Sequence, residues 1–310
     1  MSYTYLCGMS KNMLSWVLLL ALAGIWGSSF ILIKRGMTAF DGTALFSDVQ
    51  VASLRMSIAG LVLLPFSLRY LKKIKTIKQF LLLLTVGLSG NFLPSFLFTY
   101  AETELSSGYA GMLNSFTPIF SILIGAFVFK QKLTSIQFFG TTIAVTGIVL
   151  LMIAGQDLSK SGTWWHILAI VLATLFYAIS LNTIKYTLSN FKSIEITALA
   201  FGLVFLPSVI IATATGSFTV LKTVPQAWEG FGFIAILGLV GTAFAVFIFN
   251  KLISISSVIF ASSVTYFMPI VAVIMGLFIK EVITMYQIGA MLIILAGVFL
   301  ANYYRLIFKK

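Results

Sequence analysis

Arg55 stands alone: it is the only charge well inside any of the long apolar runs of this chain. A buried arginine in an apolar helix is costly, and it marks a functional position by default. Three partners suit it. It can bond backbone carbonyls, reach Asp48 at the end of its own run, or attract an anionic group such as a substrate carboxylate. A second group of residues has the chemistry of a binding wall. Trp26, Gly27, Ser28 and Ser29 interrupt the first apolar run with an aromatic ring, a thin spot and two hydroxyls. Small residues let helices approach closely and serines bond across them, so packing alone is one reading. The other has Trp26 lining a cavity for an amphipathic solute, with Tyr177 facing it.

Prolines and amides extend this set. Pro118 and Pro269 fall mid-run, where proline removes one helix hydrogen bond and kinks the chain. Asn114, Thr117, Thr265 and Tyr266 lie within the preceding turn and can satisfy the freed groups. The pair reads either as static kinks or as helices that bend around a cavity. Asn91 and Asn182 add polar groups inside runs. Lys34 and Lys185 close two runs and either snorkel to a membrane interface or serve as gate contacts. Catalysis has no such support. The sole histidine, His166, follows Trp164 and Trp165 at an expected interface, and the sole cysteine, Cys7, precedes the first run. No nucleophile–base pair or metal-ligand cluster emerges. No phosphate-binding loop ends in lysine and serine or threonine. The expectation is a protein that is not an enzyme and needs no cofactor.

The elements that hold these residues are set by lipid. The chain is 60% hydrophobic and only 9% charged, against about 45–50% and about 25% in soluble domains. At about 20 residues per crossing, 310 residues leave room for roughly ten spans. The runs are continuous and too long for barrel strands, and unpaired backbone is not tolerated in hydrocarbon, so they must be helices. The expected spans are 13–33, 49–69, 79–99, 105–128, 135–154, 165–185, 195–214, 231–250, 255–279 and 285–306. The net charge of +12 is not a nucleic-acid signal, because the basic residues lie between the runs. With the amino terminus inside, 14 Lys and Arg fall on the inner side and 5 on the outer side. This asymmetry orients membrane proteins and implies cytoplasmic termini at both ends. Seven of the eight acids fall outside, Glu195 being the exception.

The chain also matches itself at an offset of 151. Gly87, Leu88 and Gly90 fall on Gly238, Leu239 and Gly241, Ser106 and Pro118 fall on Ser257 and Pro269, and Ser29, Ile33 and Lys34 fall on Ser180, Ile184 and Lys185. Trp26 falls on Tyr177. The expected units are 1–155 and 156–310. Each holds five spans, so the second enters the membrane from the opposite side. The fold class is therefore all-α integral membrane, ten transmembrane helices in two inverted five-helix repeats. In such transporters the substrate site lies near the midplane where the repeats meet.

The segments AGIWGSSFILIK and ASLRMSIAGLVLLP, with the paired NSFTPIFSILIGAFVF and TYFMPIVAVIMGLFIKE, resemble the EamA-like branch of the drug/metabolite transporter superfamily. The resemblance covers nearly the whole chain. It implies ten helices, cytoplasmic termini, and transport of amino acids, metabolites or drug-like solutes. Where that family often carries glutamate after the fourth span, this chain has Lys130, and the second half keeps Glu281. The reading that follows is an alternating-access secondary transporter, an exporter, in a bacterial inner membrane, with a small-molecule substrate, the lipid bilayer as its surroundings and no nucleic-acid partner. Homo-oligomerisation stays open. The alternative is a facilitative channel, or a membrane sensor without active transport.

Overall fold

A computed structural model describes residues 11–154, 163–256, 260–261 and 263–307. Eight helices are long and apolar enough to cross a membrane: α1 Asn12–Met37, α2 Asp48–Lys73, α3 Ile77–Ala101, α4 Ser107–Phe127, α5 Ser135–Ile153, α6 Thr163–Thr187, α7 Ser193–Ala214 and α8 Ala227–Ile255. Two shorter apolar helices follow, α9 Val264–Phe278 and α10 Met285–Ala301. A short helix, Ser217–Thr223, precedes α8 and has no counterpart among the expected spans. Large apolar side chains such as Leu61, Phe138, Phe139, Ile153, Leu206 and Phe299 point outward. That inside-out pattern suits lipid, where an exposed leucine has no cost.

The helices pack reciprocally. α2 lies on α7, α4 on α9 and α5 on α10, while α1 packs on α8 and α9 as α6 packs on α3 and α4. Local features repeat as well. A π-helical turn spans Leu88–Phe92 in α3 and another spans Leu239–Phe244 in α8, 151 residues apart at their starts. Gly90 faces the Ser180 hydroxyl, and Gly241 faces that of Ser29. Each half thus presses the thin face of its π-turn against a serine of the other half.

One offset does not hold throughout. α2 starts on Ser47, whose N–H donates to the Gln50 side chain at 2.9 Å; α7 starts on Lys192, whose N–H donates to Glu195 Oε2 at 3.1 Å. That pairing is an offset of 145, because the connection before α7 is shorter. The packing agrees. A Cβ on Gly238 would meet the Arg55 carbonyl, and one on Gly87 would meet the Ala200 carbonyl. The structural counterpart of Arg55 is therefore Ala200.

The acid after the fourth span shifts too. Lys130 and Lys280 are the two non-glycine residues with positive φ among the described residues, at 52° and 62°. The next residue bonds back to a matched glycine in each case: Gln131 to Gly125 and Glu281 to Gly276, both at 3.0 Å. The counterpart of Glu281 is Gln131, one residue beyond Lys130, because the first connection carries an extra residue. Glu195, the exceptional acid, forms an ion pair with Lys73 at 2.7 Å across the α2–α7 contact.

Pro118 does not kink a continuous helix. α4 breaks at Asn114 and Ser115 and restarts at Phe116, leaving Pro118 in the first turn of the second piece. There its missing N–H deprives nothing. Pro269 lies inside the helix Val264–Phe278. The two prolines align in sequence yet play different local parts.

The α5–α10 contact rests on glycine. A Cβ on Gly297 would lie 2.7 Å from the Gly140 carbonyl and 2.8 Å from Ala144 Cα. Backbone cannot yield as a flexible side chain does. Gly297→Val is expected to lower stability by about 1–3 kcal/mol, the usual cost of overpacking. Gly289→Val, on the same helix with open space around it, is the control. Unfolding in mixed micelles measures both, and equal stability of the two variants would contradict the close contact.

Candidate functional site

The break between α1's two pieces at Gly27 and Ser28, the two π-turns and the break in α4 all converge on one central cavity of about 300 Å³. Of the residues singled out in the sequence, Trp26, Ser29, Arg55, Asn91, Asn114, Thr117, Tyr177 and Thr265 line it. Phe30, Phe98, Phe201, Thr242 and Met268, not singled out, complete its walls. The cavity extends between Ile184 near the end of α6 and Ile196 and Thr197 at the start of α7.

Trp26 donates Nε1–H to the Gly241 carbonyl at 3.1 Å. That bond joins α1 to the π-turn of α8. Its ring packs tilted on Phe249 with centroids 5.4 Å apart. Tyr177 stacks on Phe98 at 6.0 Å, and Phe98 meets Phe30 edge-on at 5.7 Å. The result is two aromatic groups, each drawing on both halves.

Arg55 donates Nε–H to Thr242 Oγ1 at 3.3 Å, and the Thr242 hydroxyl donates in turn to the Leu237 carbonyl at 3.0 Å. This hydroxyl is the partner the sequence did not suggest; Asp48 is not reached. Among the described residues no carboxylate pairs with Arg55. A guanidinium carries five N–H donors, so most of its capacity faces the cavity. Because Ala200 holds the equivalent position, the site has one cationic end and one apolar end.

Other expected cavity residues lie elsewhere. Asn182 turns its amide to α4, donating to the Ser121 carbonyl at 3.1 Å, to Ser121 Oγ at 3.2 Å and to the Ala178 carbonyl at 2.8 Å. It is a helix-to-helix tie, because a buried amide must find partners. Pro118, Tyr266 and Pro269 do not line the cavity: Pro118 is held in a helix's first turn, Pro269 is buried, and Tyr266 packs against the core. Lys185 lies over the Tyr186 ring at 4.6 Å.

Lys34 lies at the end of the molecule formed by connections 38–47, 102–106 and 279–284, the clamp end. Its ammonium donates to the Glu102 carbonyl at 2.7 Å and the Leu105 carbonyl at 3.3 Å. These groups sit just past the carboxyl end of α3, where the helix dipole favours a cation. Beside them, Glu281 accepts from the Ser107 and Gly108 N–H groups at 2.7 and 2.9 Å. It supplies a carboxylate to the amino terminus of α4, where unbonded N–H groups cluster. The counterparts of Ser107 and Gly108 in the second half lie outside the described residues. A second cavity of about 330 Å³ opens here, lined by Lys34, Thr38, Asp48, Glu102 and Thr103 among others. Glu102 is fully buried, with both carboxyl oxygens unbonded. Burial pushes its carboxyl well above the usual carboxylate range; Lys34 pulls it down, Glu281 raises it further and Arg55 opposes.

The duplicated helical architecture has a counterpart among known proteins. The EamA-like transporter family profile matches residues 14–153 and again 164–303. The chain belongs to the EamA-like transporter family. Among its relatives, the inner membrane transporter YedA of Escherichia coli K12 is 27% identical over 83% of this chain and 80% of its own. A protein of Streptantibioticus cattleyicolor named "probable terminal-alkyne amino-acid exporter" is 24% identical over 84% of this chain and 83% of its own. The E. coli "probable amino-acid metabolite efflux pump" is 27% identical over 47% and 46%. A crystal structure at 14% identity superposes with a TM-score of 0.60 over 94% of this chain and 98% of that one, a likeness of fold.

The Trp26 bond makes a specific forecast for this member of the family. Trp26→Phe keeps an aromatic ring while removing the indole N–H and part of the ring system. It is expected to lower stability by about 1 kcal/mol, typical of one interhelical hydrogen bond in a membrane protein. Trp26→Ala, which also empties the wall, is expected to cost about 3–5 kcal/mol. A Trp26→Phe variant as stable as the native protein, measured by unfolding in mixed micelles, would show that the indole N–H contributes nothing.

Proposed function

We propose that this protein is an alternating-access secondary transporter that exports small amphipathic carboxylates, amino acids and their derivatives foremost. In this reading all ten helices cross a bacterial inner membrane, the halves are inverted, and both termini are cytoplasmic. The lysine and arginine asymmetry then puts the clamp end outside. The central cavity reaches toward the opposite, cytoplasmic end.

The observation that carries the reading is the Arg55 guanidinium, facing a cavity with no carboxylate among the described residues bonded to it. A charged donor left with spare capacity in a low-dielectric site attracts an anion strongly, and arginine matches a carboxylate two bonds at a time. The aromatic rings of Trp26, Phe30, Phe98 and Tyr177 suit the apolar remainder of such a molecule. Two relatives carry names that refer to amino-acid export or efflux, which agrees with that chemistry. The made contacts at the clamp end, Lys34 to α3 and Glu281 to α4, favour a carrier closed on one side over an open pore.

Arg55→Gln is expected to lower transport of free amino acids at least about tenfold, since a charge-assisted bond is worth about 1.5–3 kcal/mol and 1.4 kcal/mol is a factor of ten. Transport of the corresponding amino-acid amides is expected to change little. Counterflow in proteoliposomes loaded with a mixture of apolar amino acids measures both. Equal loss for acids and amides would remove Arg55 as the carboxylate anchor. Conductance without saturation would replace the carrier by a channel.

A further inference from the structure

We propose that Glu102 is a proton-binding site whose occupancy holds the clamp end of the protein closed. Glu102 follows the last residue of α3, is fully buried and has no hydrogen-bond partner for either carboxyl oxygen. Its own backbone carbonyl is the group that Lys34 grips at 2.7 Å. The side chain and the latch are therefore one residue, and both adjoin the second cavity with Asp48 and Thr103.

An ionised carboxylate without a partner is far more costly to bury than a neutral acid. Closing this end therefore takes up a proton on the Glu102 carboxylate. Opening separates the Lys34 ammonium from the 102–105 turn and admits water to the second cavity. The Glu102 O–H bond then breaks, and its proton leaves to that water. The charged groups around the site pull both ways. Lys34 on α1 and Arg55 on α2 favour the ionised form, and Glu281 before α10 disfavours it. Asp48 on α2 borders the same cavity. Tyr177 on α6 lies within reach of Arg55, Glu104 is exposed on the same turn, and Tyr100 stacks on His166 at this end at 4.5 Å. The closed form binds Glu102's proton more tightly than the open, hydrated form. Its advantage is therefore complete below the ordinary carboxylate pKa and is lost as pH rises through the raised value of the closed form. The inference deepens the carrier reading, since closing one end is half of an access cycle, but protonation of Glu102 can be tested without any substrate.

The full chain in lipid nanodiscs provides two readouts. Infrared spectroscopy at about pH 7 is expected to show the carbonyl stretch of a protonated carboxylic acid, lost in Glu102→Gln and kept in Glu281→Gln. Spin labels at Ala44→Cys and Glu104→Cys, in a Cys7→Ser background, report the gap between connections 38–47 and 102–106. The label distance is expected to shorten and narrow on acidification from about pH 9 to about pH 5. Glu102→Gln, a neutral mimic of the protonated acid, is expected to hold the short distance at both values, and Glu102→Asp to restore the pH response. Absence of the acid band, its persistence in Glu102→Gln, or a wild-type distance indifferent to pH would each overturn the proposal. None of these outcomes depends on which solute the protein carries, so failure of the transport reading would be seen separately, in the counterflow assay.

Discussion

Within a bilayer every backbone N–H and C=O must find a partner inside the protein, and this structure depends on how that demand is met where its helices break. Three of these sites are satisfied from a distant part of the chain. The π-turn of α8 offers the Gly241 carbonyl, and Trp26 of α1 takes it. The Glu102 and Leu105 carbonyls past the end of α3 receive Lys34 from α1. The first N–H groups of α4 receive the Glu281 carboxylate from the connection before α10. The irregular backbone that lets helices surround a cavity is also what ties the two halves together.

Duplication with small asymmetries explains how such a cavity gains direction. Ser29 and Ser180, Gly90 and Gly241, and the two π-turns keep the halves interchangeable in outline. Arg55 opposite Ala200 breaks that equivalence inside the cavity, and Glu281 opposite Gln131 breaks it at the ends. A two-fold site would bind both ends of a solute alike. With one guanidinium and one alanine, it distinguishes a charged end from an apolar one. The lysines differ likewise: Lys34 bonds to carbonyls across the clamp end, whereas Lys185 lies on the neighbouring Tyr186 ring. The clamp is made at one end, and its counterpart lysine is engaged elsewhere.

Much of the fold was legible in the sequence. Long apolar runs can only be helices in lipid, and the positions of Trp26, Ser29, Arg55, Asn91, Asn114, Tyr177 and Thr265 pointed to the cavity they line. Each is a polar or amphipathic group set in an apolar run, and such a group has to face something other than lipid. Asn182 bears the same signature yet ties α6 to α4, because a polar group in hydrocarbon can be satisfied by a neighbouring helix as well as by a cavity. Thr242 and Phe98 carried no signal: one hydroxyl among many, one phenylalanine among 29. Pro269 lies inside a helix and Pro118 in a first turn, because alignment in sequence does not fix where a helix begins.

The sequence by itself determined the solvent, the helical class and the duplication, since these follow from composition, run length and a repeated pattern that every residue helps to specify. Only the tertiary structure decided the 145-residue offset of α2 and α7, the pairing of Glu281 with Gln131, and the isolation of Glu102. Each of these depends on the lengths of connections and on which surfaces meet. A glutamate in a short turn reads as a solvated surface acid. It becomes a buried, unpartnered one only when the surrounding helices close over it, because burial belongs to the neighbours a residue acquires and not to its own type.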